Sequence, residues 1–158
     1  REAPRIIDER VTYVLTSMLK DVIQRGTGRR ARVLERADLA GKTGTTNGPR
    51  DAWFSGYNRD LVTTTWVGFD DYSLMGRREF GGTAALPIWI DFMRVALPPE
   101  SAAAEMPPGV VRLRIDQQSG QRTDSQSSSM WEVFLQEFTP TNQRGRNNTD
   151  SEDLDGLF

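Results

Sequence analysis

Cysteine and histidine are both missing from the 158 residues. Without cysteine there is no thiolate nucleophile, no disulfide and no thiolate-ligated structural zinc, and the redox compartment is left open. Without histidine the commonest general base and metal ligand is gone, so proton transfer would fall to Lys, carboxylates or Tyr. Long apolar runs are missing too. No stretch approaches the roughly 18 residues of a membrane span, and Arg1-Glu2-Ala3-Pro4 carries no apolar signal region, so no direct membrane contact is expected of this chain. Nor is there an excess of either charge: 20 basic against 22 acidic residues leave a net charge of -2, which gives nucleic acid no reason to bind. Methionine is absent from position 1, where Arg stands, and the expectation is a piece of something longer. What is present is ordinary for one globular core, with 37% hydrophobic and 27% charged residues.

From Asp8 to Arg25, Val11, Val14, Leu15, Met18, Leu19, Val22 and Ile23 recur at three and four, the stripe of an amphipathic helix with Asp8 as cap and Gly26 as stop. Gly26-Thr27-Gly28 reads as a turn, and Arg29, Arg30, Arg32 and Arg36 as a basic connection on a solvated surface. Three strands in meander order are expected next: Ala40 to Thr46, Ala52 to Tyr57, and Leu61 to Phe69, the last two joined through Asn58-Arg59-Asp60. Trp53 and Phe54 should pack the sheet, and Arg50 and Asp51 should form a turn with a local ion pair. Asp70 to Gly82 is a loop, and Thr83 to Leu97 a largely buried helix with Pro87 in its first turn and Pro98-Pro99 as its stop. Residues 98–109 form a Pro-rich linker. Within 110–140, Val111, Leu113 and Ile115 alternate with arginines as a strand, and Trp131 to Phe138 is an apolar island of unassigned type; this segment is expected to pack on the domain formed by 1–97. Residues 141–158 are polar and expected to be disordered.

Chemistry concentrates in Leu39-Ala40-Gly41-Lys42-Thr43-Gly44-Thr45-Thr46, which sets an ammonium, three hydroxyls and two glycines side by side. A phosphate-binding loop would need another glycine where Arg36 stands. The phosphorylation motif of P-type pumps would need an aspartate where Gly41 stands. The remaining reading is the Lys-Thr-Gly strand of serine penicillin-recognising enzymes, whose other marks are Ser-x-x-Lys and Ser-x-Asn.

The wider sequence carries that reading. Lys42-Thr43-Gly44-Thr45-Thr46-Asn47, Asp51-Ala52-Trp53-Phe54-x-Gly56-Tyr57 and Trp66-Val67-Gly68-x-Asp70 resemble the transpeptidase domain of class A, bifunctional penicillin-binding proteins. So do Met18-Leu19-x-x-Val22 with Gly26-Thr27-Gly28 upstream, Gly81-Gly82-x-Ala84-Ala85-x-Pro87-Ile88-Trp89 downstream, and Ile115-Asp116, Gly120 and Phe134 to Pro140 beyond. The resemblance implies an α/β fold of serine β-lactamase type, an antiparallel sheet flanked by helices, of which this chain holds an incomplete C-terminal portion. It implies DD-transpeptidation of peptidoglycan stem peptides, acylation by β-lactam antibiotics, no metal or organic cofactor, and a setting on the periplasmic side of the bacterial inner membrane. Lys42, Thr43, Gly44, Thr45 and Thr46 would bind substrate, Thr43 and Thr45 holding its carboxylate with Lys42 beside them. The Thr45 N–H would be one of two oxyanion donors.

Two of the three marks do not follow. Ser17-Met18-Leu19-Lys20 fits Ser-x-x-Lys to the letter but falls mid-helix on the polar face, and no Ser-x-Asn triplet exists. The chain alone is therefore expected to lack the catalytic serine, and to pair with an upstream fragment of the same protein that carries it. A DD-carboxypeptidase or β-lactamase, which passes the acyl group to water, and a non-catalytic interaction module are the rival readings.

Overall fold

The computed structural model describes residues 4–100 and 102–142. Asp8 opens helix α1 (Glu9–Gln24): its carboxylate accepts the Arg10 N–H at 2.8 Å, taking one of the donors that a helix start leaves unpaired. Gly26 ends it with a 3.0 Å bond from its N–H to the Asp21 carbonyl. The next residues are not the plain connection expected of an arginine-rich run. Gly28 donates to the Val22 carbonyl and Ala31 to the Gly28 carbonyl, starting a 3-10 helix over Arg29–Leu34 that buries Ala31 and leaves Arg29, Arg30 and Arg32 exposed.

Strands β1 (Ala40–Thr45), β2 (Asp51–Tyr57) and β3 (Val62–Gly68) form an antiparallel sheet in the order β1-β2-β3, the meander expected. Its second turn is held by Asn58, whose side-chain carbonyl accepts the N–H groups of Asp60 and Leu61 at 3.0 and 2.8 Å. Successive side chains of β2 take opposite faces. Phe54 is fully buried as expected, while Trp53, its neighbour, is 42% exposed and lies 6.1 Å from Trp66 on the other face. The expected Arg50–Asp51 ion pair is replaced by two separate contacts: Arg50 donates to the Tyr72 carbonyl, and Asp51 accepts the Trp66 indole N–H at 2.8 Å.

The helix expected from Thr83 begins at Gly81 with a wider turn. Gly81–Ala85 is a π-helical turn that runs into α2 (Leu86–Ala96). Gly81 lies close against the sheet, where an added Cβ would meet the carbonyl oxygens of Trp53 and Gly44. Pro87 sits in the first turn of α2, where a missing N–H leaves no bond unmade. Leu97 turns extended before Pro98 and stops the helix. α2 seals the buried face of the sheet: Trp89 meets Phe54 edge-on at 4.9 Å and donates its indole N–H to the Thr63 carbonyl at 3.1 Å.

One polar network fastens this layer. Arg36 forks onto Asp38 at 2.9 and 2.7 Å and bonds the Pro98 carbonyl at 2.7 Å, while the Asn58 amide donates to Asp38 at 3.1 Å. Burial opposes the charge on Asp38, but the hydrogen bonds from Arg36 and Asn58 outweigh it and hold the carboxyl below its ordinary 3.8.

α1 departs most from expectation. Ile23 is its buried residue, whereas Val11, Leu15 and Met18 of the predicted stripe are 44, 52 and 59% exposed. α1 packs along β1 through a different side, on which Thr16 shares a 3.0 Å hydrogen bond with the Tyr57 hydroxyl.

The chain divides into two compact units at Val110 and Val111. Beyond the division β4 (Val110–Asp116) pairs with β5 (Ser129–Leu135), followed by a 3-10 turn at Gln136–Phe138, which gives the apolar island its type. Arg112 and Arg114 lie over the Trp131 ring at 5.3 and 4.9 Å. The expected disordered tail falls, from residue 143 onward, outside the described residues.

Candidate active site

β1 is an edge strand, and its register decides what that edge offers. Thr46 donates to the Asp51 carbonyl, so the hydrogen-bonded pairs of the β1–β2 ladder are Gly44/Trp53 and Lys42/Ser55. Thr43 and Thr45 fall on the alternate positions, where N–H and C=O turn away from β2. The Lys42 ammonium marks this edge by bonding the Thr43 carbonyl at 2.8 Å. An extended peptide laid there would find the backbone groups of two residues unclaimed by β2.

The side chains alternate as the backbone does. Thr43 and Thr45 share one face and Lys42 and Gly44 the other, so the lysine reaches the threonine edge by curling back along its flexible stem. Gly44 leaves modest room: a Cβ there would stand 3.2 Å from the Trp53 Cβ. Thr45 is exposed, and its hydroxyl accepts the Gly81 N–H at 3.0 Å. Thr43 is half-buried and shares a 2.7 Å hydrogen bond with the Thr27 hydroxyl.

The Thr46 hydroxyl is engaged within the turn that follows β1. It donates to the Gly48 carbonyl at 3.1 Å and accepts from the Arg50 and Asp51 N–H groups at 3.3 and 3.0 Å, so its capacity is spent on the β1–β2 turn. Two groups that sequence reasoning did not assign to the site bond its threonines, the Thr27 hydroxyl on Thr43 and the Gly81 amide on Thr45. Gly26-Thr27-Gly28 and Gly81-Gly82 were legible only as a turn and as part of a resemblance; the contacts they make are long-range.

Ser17 and Lys20 do not join this edge. Both are half-buried along a groove of about 600 Å³ shared with Tyr13, Thr16 and residues 103–108, rather than on an open polar face as expected. Thr16, next to Ser17, bonds Tyr57, and Tyr57 pairs with Ala40 at the opposite end of β1 from Thr45. Five residue steps along the strand separate those ends, roughly 17 Å. Among the described residues no cluster of acidic side chains could hold a metal ion, and no helix is long and apolar enough to cross a membrane.

An antiparallel sheet with a Lys-Thr-Gly edge strand and helices packed on it is the transpeptidase-type fold of the penicillin-binding enzymes. The chain is homologous to penicillin-binding protein 1A. It is 57% identical to penicillin-binding protein 1A of Pseudomonas aeruginosa over 141 residues, 87% of its length, and 48% identical to that of Neisseria gonorrhoeae over 112 residues. The crystal structure of penicillin-binding protein 1A from Haemophilus influenzae matches it with a TM-score of 0.79 and 35% identity over 89% of the chain. The chain spans 17% of the Pseudomonas relative, 14% of the gonococcal one and 22% of the Haemophilus chain. No family model matches it.

Proposed function

We propose that this chain supplies the Lys-Thr-Gly wall of a peptidoglycan DD-transpeptidase that β-lactams acylate. The observation that carries the reading is the edge of β1, where Thr43 and Thr45 turn backbone groups away from β2 in a chain 57% identical to a penicillin-binding protein 1A. A stem peptide ending in D-alanyl-D-alanine lies along that edge as an added strand. The Thr43 and Thr45 hydroxyls donate to its terminal carboxylate, Lys42 lends positive potential, and Gly44 keeps the backbone approachable. The Thr45 N–H points at the oxygen that gains charge when the carbonyl is attacked.

The attacking serine belongs to an upstream segment. Its Oγ adds to the penultimate D-alanine carbonyl, the peptide C–N bond breaks, and D-alanine departs with a proton. An amine of a neighbouring stem then attacks the ester, forming the cross-link and freeing the serine. The exposed Val11, Leu15 and Met18 of α1 support the existence of such a segment, since a row of apolar residues is costly to leave in water. The reading carries with it a periplasmic setting on the inner membrane. Labelling the full-length protein with a fluorescent penicillin tests it: a covalent band is expected, weakened strongly by Lys42→Ala, and absence of any band from the folded protein rejects the reading.

A further inference from the structure

The hydroxyl that faces Thr43 has no part in the reading above. Thr27 lies in the turn between α1 and the 3-10 helix, and its Oγ stands 2.7 Å from the Thr43 Oγ, 16 residues along the chain. The turn is held firmly: the Gly26 N–H bonds the Asp21 carbonyl at 3.0 Å and the Gly28 N–H the Val22 carbonyl at 2.9 Å. Gly28 is itself buried, and a Cβ on it would stand 3.3 Å from the Phe54 ring. Thr27 is thus fixed by its neighbours on both sides.

A threonine hydroxyl has one hydrogen to donate and two lone pairs with which to accept. To bind a carboxylate it must donate, and it does so best when a lone pair is already engaged by another donor, because each bond in such a chain polarises the next. The two motif threonines meet that condition in the same way from different elements. Thr45 Oγ accepts the Gly81 N–H at 3.0 Å, which leaves its own hydrogen free. Thr43 has no backbone donor of that kind on its hydroxyl; it has Thr27.

We propose that Thr27 is a positioning residue of the substrate-carboxylate site: its O–H donates to Thr43 Oγ, so that the Thr43 O–H is turned outward as a donor to the anion. Without it the Thr43 hydroxyl loses the donor that orients it. The proposal rests on the assignment of Thr43 as a carboxylate ligand, and the experiment separates the two. In the full-length protein, penicillin acylation rates are measured for Thr27→Val, Thr27→Ser, Thr43→Val and the double valine variant, with melting temperatures to verify folding. Each rate is repeated with the penicillin methyl ester, which lacks the anion.

Thr27→Val should slow acylation by penicillin about tenfold, the effect of one hydrogen bond of roughly 1.4 kcal/mol. Thr27→Ser should restore the rate to within about twofold, and the double variant should be no slower than Thr43→Val, since the two hydroxyls act as one unit. The ester should be indifferent to Thr27. A normal rate in Thr27→Val beside a slowed Thr43→Val overturns the role of Thr27 alone, and so does an equal slowing of acid and ester. A normal rate in Thr43→Val overturns the carboxylate assignment and the proposal with it.

Discussion

Three glycines near the edge of β1 differ in what surrounds them, and the difference separates folding from function. A Cβ on Gly81 would meet backbone, the Trp53 carbonyl and, at 2.7 Å, the Gly44 carbonyl, neither of which can move without opening the sheet. Gly81→Ala should therefore destabilise the protein by about 3 kcal/mol, at the upper end of overpacking costs, and urea unfolding will measure it. Gly56 is equally closed, with the Trp89 ring 2.6 Å from its added Cβ. Gly44 is different, because its Cβ would meet the Trp53 Cβ at 3.2 Å, a contact that small shifts relieve. Gly44→Ala should melt within a few degrees of the parent yet acylate more slowly, as the substrate strand can no longer lie close. Equal loss of stability in both alanine variants would contradict this division. The Gly-rich motifs were visible in the sequence, but which glycine touches backbone and which a side chain depends on the packing of a π-helical turn against a strand.

At the scale of the elements, local signals were legible and long-range ones were not. Asp8 and Gly26 gave the ends of α1, Pro98 gave the stop of α2, and Asn58-Arg59-Asp60 gave the β2–β3 turn, because capping and turn chemistry act within a few residues. The 3-10 helix at Arg29–Leu34 left no periodic apolar trace, and the close approach of Gly81 to the strands is a contact far apart in sequence. The Arg36–Asp38 pair, with side chains 13 and 10% exposed, was likewise hidden: it joins the 3-10 helix exit, the β2–β3 turn and the end of α2. Because the folded carboxyl of Asp38 titrates below 3.8, its contribution to stability is full above that value and is lost as the pH falls through the folded pKa. Asp38→Asn should flatten the acid limb of the stability curve below about pH 4. Asp38→Ala should cost about 3 kcal/mol at neutral pH, since it leaves the Arg36 guanidinium buried without its partner. A curve unchanged by Asp38→Asn would show that the acid transition belongs to other carboxylates.

The whole molecule is organised around surfaces that α1 and the sheet leave uncovered. The apolar stripe of α1 is legible in its spacing, yet Val11, Leu15 and Met18 are exposed among the described residues. If the upstream part of the protein covers the stripe, Leu15→Lys should leave this chain's stability within about 0.5 kcal/mol, as for other exposed positions. In the full-length protein the same change should cost about 2 to 4 kcal/mol, the scale of a charge set against a packed core. Equal effects in both would mean that the stripe stays open.

β1 brings together an ammonium, two outward hydroxyls and an outward N–H, while Ser17 and Lys20 sit toward the other end of the strand. The most direct measurement is peptide mapping of the full-length protein after reaction with penicillin, with the acylated residue located by mass spectrometry. The account predicts a single modified serine outside these 158 residues, with its modification slowed by Lys42→Ala. Penicilloyl attached to Ser17, or a modified serine indifferent to Lys42, would contradict it.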